Sequence, residues 1–379
     1  MATAPSSPDG RPPGAGPADA IARTAASEPP DARGDELRVT LLTGGSPSQL
    51  TGGHLFHRRM IDAAPAHGAR IETTIVHPLR RPFPRPAGRS VVLVDSLVAA
   101  RVAPWAARVG HRHRLAAIVH QRPGGVDHGA LRTAVQRCSD LALYHRCALL
   151  LAVSDAVAAD LTERAHIRDD RIVVVTPGCD LPAPAARPDL RHRRTIAVLC
   201  VANWLPNKGI AELLDAVAAL PPDAVTLHLV GATDADPGYT VLIRERIARR
   251  DLADRVVVHG PVDPRELAGM YAAADAFALA SRAEAFGIAY AEALQAGLPV
   301  VGWRSGNLPN LVDDGVEGCL VDPGDVAGLT EAFARLAGDD DWRVGLAAAA
   351  RRRATSLPTW NDTATVFFEA LTRLGSRHG

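Results

Sequence analysis

Two series of short apolar runs, each run followed by a longer amphipathic stretch, dominate the chain and limit what it can fold into. The first series is Arg38–Thr43, Ile71–Val76, Val91–Asp95, Leu115–His120, Leu149–Val153 and Ile172–Thr176. The second is Thr195–Val201, Val225–Val230, Val256–His259, Ala276–Leu279, Pro299–Gly302 and Cys319–Val321. Helical patterns fall between the runs, near 54–68, 97–108, 130–145 and 154–165 in the first series. In the second they fall near 208–219, 239–250, 263–273, 286–296, 325–337 and 341–355. Ser154 is placed to cap the helix that follows it. Strand–helix alternation argues for parallel sheets covered on both faces. The fold class is therefore α/β, two doubly wound Rossmann-like domains in tandem. Ligands of such sheets bind at the carboxyl ends of the strands, and between two such domains the cleft is the expected site.

The boundaries follow from composition. Residues 1–36 hold seven prolines and four glycines and few residues able to form a core, and they read as a disordered tail. Residues 37–180 form the first domain, 181–194 a proline- and arginine-containing linker, and 195–357 the second domain. The amphipathic stretch in 358–379 reads as a helix that packs back on the first domain. At 379 residues the chain is too long for one ordinary domain.

The 42 basic and 42 acidic residues balance, which argues against a general nucleic-acid binder. Five scattered cysteines show neither C-x-x-C spacing nor a zinc pattern and suit a reducing cytosol. No charge-free window of membrane-spanning length and no secretory leader pattern is visible, so the expected location is cytoplasmic. The arginine-rich loop Leu79–Arg89 reads as a solvated loop, with contact to an anionic surface as the alternative. All but one of the basic residues are arginine; the single lysine is Lys208.

Four constellations could carry chemistry. Lys208 follows strand Ile196–Val201 in Asn203-Trp204-Leu205-Pro206-Asn207-Lys208-Gly209, at a helix start. Unsatisfied N–H groups there favour anions and disfavour a cation unless an anion neutralises it, as a phosphate would. The second is Ser281–Gly297. Glu284 lies in the turn, the helix starts around Phe286, and Glu292 lies inside an otherwise apolar helix. A buried carboxylate needs hydrogen-bond donors, which a diol supplies. About 9 Å separates Glu292 from the helix start along the axis, so an anion and a diol of one nucleotide could be held together. The bland alternative is a pair of exposed glutamates. The third is Leu42–Gly53, where Gly44, Gly45, Gly52 and Gly53 allow close approach of the backbone to a ligand. No G-x-G-x-x-G fingerprint is present, which argues against a dinucleotide cofactor. The fourth is His120, at a strand end within reach of a cleft.

These residues resemble the family-4 class of retaining glycosyltransferases. The shared pattern is Ser281-x-x-Glu284-x-Phe286-Gly287…Glu292-Ala293…Ala296-Gly297-Leu298-Pro299-Val300. Pro206-x-Lys208-Gly209 lies upstream, and Gly306-Asn307-Leu308-Pro309…Asp314-Gly315…Gly318 downstream. The resemblance covers about residues 37–375 and is most specific in the second domain. It implies the two-domain GT-B fold, with an acceptor domain first and a donor domain second.

It further implies that Lys208 neutralises a donor diphosphate and that Glu284 hydrogen-bonds the donor sugar. Backbone N–H groups around Phe286, Gly287 and Ile288 would assist, and Glu292 would hold the ribose hydroxyls. Gly52 and Gly53 would bring the first domain's backbone to phosphate or acceptor, and His120 would lie by the donor sugar. No metal or other cofactor is implied. The implied activity is transfer of a hexosyl group from a nucleotide-sugar, UDP-linked before GDP-linked, to a hydroxyl acceptor. Two positions depart from the family's pattern: Asn203 stands where many members carry Arg, and Asn310 where a glutamate is common. Leaving-group charge would then be met elsewhere, with Arg282 and Arg304 as candidates. A GT-B epimerase or phosphorylase and a non-catalytic nucleotide-sugar-binding protein are the alternatives.

Overall fold

A computed structural model of the chain describes residues 36–44, 52–76, 90–109, 114–125 and 130–376. The expected tail, apart from Glu36, lies outside the described residues, as do Gly45 and the loop 79–89.

The first lobe is built from β1 (Leu37–Thr43), α1 (Gly52–Ala63), β2 (Ala69–Ile75), β3 (Ser90–Asp95), α2 (Ala99–Val109), β4 (Arg114–Val119), α3 (Ala130–Tyr144), β5 (Leu149–Ala152), α4 (Asp155–Ala159) and β6 (Ile172–Val174). The second lobe contains β7 (Ile196–Val201), α5 (Ile210–Ala218), β8 (Val225–Val230), α6 (Pro237–Ile247), β9 (Val256–Gly260), α7 (Pro264–Ala273), β10 (Ala276–Leu279), α8 (Ile288–Ala296), β11 (Val300–Trp303), α9 (Leu308–Leu311) and β12 (Gly318–Val321). Three helices end the described chain: α10 (Val326–Gly338), α11 (Asp340–Ala354) and α12 (Trp360–Ser376).

Each apolar run of the sequence is a strand, displaced at either end by no more than two residues. The reason is burial: every residue of β3 and of β8 is buried. A parallel strand covered on both faces has no polar position to blur its limits. Ser154 caps α4, its Oγ accepting from the Val157 N–H at 3.3 Å. Asp236, Asp263, Asp325 and Asp339 cap α6, α7, α10 and α11 in the same way.

Both sheets are parallel and six-stranded, but their orders differ. The first runs β2-β1-β3-β4-β5-β6 and the second β12-β11-β10-β7-β8-β9. The order of strands therefore reverses between β1 and β3 in one sheet and between β7 and β10 in the other. A crevice opens at the carboxyl ends of the strands at such a switch point. Those ends carry Asp95 and His120 in the first lobe, and the loops of Asn203–Lys208 and Ser281–Gly287 in the second.

Helix α12 returns to the first lobe. Phe368 stacks on His67 with ring centres 4.9 Å apart, and Phe56 of α1 meets Trp360 and Phe367 at 6.1 and 5.9 Å. The Thr363 hydroxyl donates to the Thr176 carbonyl at 2.8 Å, and an Asp180 carboxylate oxygen accepts from the Trp360 N–H at 3.2 Å. Among the described residues no helix is long and apolar enough to cross a membrane.

Candidate active site between the two sheets

Leaving β7, the chain makes a single 3-10 turn, Pro206–Lys208, before α5 begins. Gly209 joins the two with φ 67°, and a Cβ there would lie 2.1 Å from the Ala280 carbonyl oxygen. Both facts require glycine and press the lysine loop onto the end of β10. The Arg282 N–H donates to the Asn207 carbonyl at 2.8 Å and ties the two loops together. Lys208 thus sits just before the helix rather than in its first turn. Its neutralising anion in this structure is a carboxylate of the chain itself, since Nζ donates to Glu284 Oε1. The pair is one-fifth exposed or less on each side, so solvent screens it less than a surface pair.

The loop that carries Glu284 is fastened by its own backbone. The Asn307 N–H donates to the Glu284 carbonyl at 2.9 Å, and the Asn307 side chain donates to the Phe286 carbonyl at 3.0 Å. Gly306, at φ 61°, would place a Cβ 2.6 Å from the Glu284 carbonyl oxygen, so this approach also depends on glycine. Helix α8 starts at Ile288, two residues later than Phe286, with Gly287 at its cap position. Asn203 does not face outward as a charge substitute: its Oδ1 accepts from the Ala232 N–H at 3.0 Å and ties β7's loop to β8's. Neither candidate for the missing charge is unengaged. Arg282 is paired with Glu212 at 2.8 Å, and Arg304 with Asp314 at 2.8 Å. The Asn310 side chain donates to Asn307 Oδ1 at 3.0 Å.

Glu292, further along α8, is not one of two exposed glutamates. Burial raises its carboxyl from an ordinary value of 4.5 to about 7, partly opposed by a hydrogen bond from the Tyr271 hydroxyl and by the field of Arg59. The Tyr271 oxygen lies 3.0 Å from Glu292 Oε2.

Across the cleft, Gly52 and Gly53 are the first residues of α1 and not part of the preceding loop. A Cβ on Gly52 would lie 3.4 Å from Ile288 Cδ1, and one on Gly53 3.6 Å from the His120 ring. Their small size therefore keeps space open between α1, α8 and His120. His120 Nε2 lies 3.0 Å from His57 Nε2, which in turn lies 3.8 Å from an Asp95 carboxylate oxygen. That carboxylate is fixed by the Thr43 hydroxyl at 3.1 Å and the Leu97 N–H at 2.9 Å. Burial lowers His57 to about 3 and lowers His120 as well, so both imidazoles are neutral at physiological pH. A small open groove joins the halves, lined by Gln121, Arg122 and Asp160 on one side and Ala283, Glu284 and Gly306 on the other. The Ser154 hydroxyl crosses it to the Ala285 carbonyl.

Residues 195–339, which hold Lys208, Glu284 and Glu292, match the family described as Glycosyl transferases group 1. The chain is 35% identical over 251 residues to a D-inositol 3-phosphate glycosyltransferase of Xylanimonas cellulosilytica, covering 60% of this chain and 59% of that one. Over residues 195–339 the chain is similar to the group 1 glycosyl transferases. Another similar protein is the GDP-mannose-dependent alpha-(1-6)-phosphatidylinositol monomannoside mannosyltransferase of Mycobacterium tuberculosis, at 32% over 205 residues, 50% of this chain and 52% of that one. The chain thus matches less than two thirds of the length of either relative.

Solved structures extend the likeness of fold over most of the chain. Sucrose-phosphate synthase from Thermosynechococcus elongatus superposes with a TM-score of 0.75 at 21% identity, covering 89% of this chain and 99% of that one. Anabaena HepE in complex with UDP-glucose does so with 0.71 at 21%, with the same coverage. The fold of the chain is GT-B, with two parallel sheets facing a cleft.

The sequence reading singled out His120 without its neighbours. His57, Asp95, Thr43 and Tyr271 are the side chains it missed. Asp95 carried a readable signal, a carboxylate closing an otherwise apolar strand. His57 could have been suspected from its place one turn after Gly53 in the helix that follows β1.

Proposed function

We propose that the chain is a retaining, metal-independent glycosyltransferase. It moves a hexosyl group from a nucleotide-sugar, a UDP-sugar before a GDP-sugar, to a hydroxyl acceptor in the cytoplasm. The observation that carries this reading is the Lys208–Glu284 pair at the second sheet's switch point, open to the first lobe. A donor diphosphate replaces Glu284 as the anion on Lys208. The exchange keeps an anion on the lysine and releases the Glu284 carboxylate to accept hydrogen bonds from sugar hydroxyls. Glu292, beyond it on α8, accepts from the ribose diol once ionised. The start of α1 at Gly52 and Gly53 and the His120 side chain close the opposite wall, leaving room for the acceptor. The bond between the anomeric carbon and the leaving phosphate oxygen breaks. The acceptor oxygen bonds to that carbon on the same face, and its proton passes to the leaving phosphate. Lys208 and the α8 N-terminus stabilise the departing charge.

A nucleotide-sugar-binding module without turnover is the second reading, favoured by Asn203, which brings no charge and is held by Ala232. Labelled UDP- and GDP-hexoses, with binding and donor hydrolysis measured, separate the two. Slow donor hydrolysis that disappears in Glu284→Ala supports the transferase. Absence of donor binding, together with a Lys208→Ala variant that changes no ligand affinity, removes both readings.

A further inference from the structure

Three adjacent elements of the first lobe converge on one point that donor chemistry leaves partly unexplained. His57 comes from α1, Asp95 from the end of β3 and His120 from just beyond β4, and β3 and β4 are neighbours in the sheet. One ligand atom from each, the two Nε2 atoms and a carboxylate oxygen, lie within 4.8 Å of one another. This is the one such group among the described residues. We propose that His57, Asp95 and His120 form a binding site for a divalent transition-metal ion, zinc foremost, and that filling it withdraws His120 from the sugar-binding wall.

The geometry supports a shared ion. Imidazole nitrogen and carboxylate oxygen bind zinc at about 2.0–2.2 Å, which places ligand atoms roughly 3–4 Å apart. The two measured separations, 3.0 Å between the histidines and 3.8 Å from His57 to Asp95, fall in that range. The donor set of two imidazoles and one carboxylate suits zinc, iron, nickel or copper and is a poor match for magnesium or calcium, which take oxygen ligands. The carboxylate is oriented in advance by Thr43 and Leu97, the kind of outer support that metal-binding carboxylates receive. Access exists through His120, the one member of the three that is not fully buried. That side faces the space beside Gly53, where a water or a substrate hydroxyl completes the coordination. Without an ion, the proton on one Nε2 is donated to the other at 3.0 Å; when a metal binds both Nε2 atoms, that proton moves to Nδ1 of its own ring. The inhibitory half of the proposal rests on the transferase reading, whereas the binding half does not.

The test uses the full chain stripped with a chelator and titrated with zinc chloride by calorimetry and with cobalt chloride by visible absorption. One equivalent is expected, with a cobalt spectrum of nitrogen and oxygen ligation. His57→Gln and Asp95→Asn should each weaken binding at least tenfold while circular dichroism remains that of the parent. No binding, or binding that neither variant weakens, overturns the site. Zinc should also slow hexosyl transfer, with recovery on chelation. Zinc that binds stoichiometrically yet leaves transfer unchanged overturns the inhibitory role. Absence of transfer both with and without zinc counts against the transferase reading and leaves the titration to decide the site.

Discussion

The two lobes meet the same cleft with different chemistry. The second presents charge: a lysine, two carboxylates, and loops fixed by backbone hydrogen bonds and glycines. The first presents neutral imidazoles around one buried carboxylate, an Arg122–Asp160 ion pair at 3.3 Å, and the small residues that open α1. Their sheet orders differ to match. In the second lobe the switch point falls between the first and fourth strands, β7 and β10, whose loops carry Lys208 and Glu284. In the first it falls between the first and third, β1 and β3, leaving Asp95 beside Thr43 at the end of β1.

That contrast can be broken most sharply at Lys208. Lys208→Ala should lower kcat/KM for the donor by about 10²–10³-fold, the magnitude seen when one stabiliser of developing negative charge is removed. Steady-state kinetics with a labelled donor measures it, and an equal loss from a neutral first-lobe change such as Gly53→Ala would erase the distinction. Next in size is Gly209→Ala. A left-handed φ and a 2.1 Å clash with Ala280 should destabilise the second lobe by roughly 2–4 kcal/mol, read as a lowered melting temperature.

Glu292 gives a prediction with a sign. Its folded pKa, about 7, lies above the ordinary 4.5, so the native state holds more protons between those values. Stability therefore falls as pH rises through that window. Donor affinity moves the other way, rising from pH 6 to 8 as the carboxylate ionises. Glu292→Gln should flatten both profiles in denaturant titration and in donor binding. Tyr271→Phe, which removes a hydrogen bond to the charged form, should shift the affinity profile to higher pH. Smallest is Ser154→Ala, which loses a helix cap and one contact between the lobes, about 1 kcal/mol.

The fold was readable because its central strands, such as β3 and β8, are buried on both faces. The short helix Leu308–Leu311 was not, since one turn has no period to detect. In the second lobe Lys208 and Glu284 meet through loops that their own motifs specify, so spacing along the chain was informative. His57 and Asp95 meet His120 only through the packing of α1 against the sheet, which no local pattern encodes. Arg282 and Arg304 looked available for the same reason. Their acidic partners lie 70 and 10 residues away, and only folding brings Arg282 to Glu212.

The return of α12 to the first lobe also bears on the order of assembly. Phe56 lies under Trp360 and Phe367 on one side and 5.7 Å from the His120 ring on another. During synthesis the lobe made first therefore waits for residues 360–376 before Phe56 and its neighbours are covered. The lobe made second has all its strands before then. On the ribosome the second lobe can close ahead of the first, the reverse of their order in the gene.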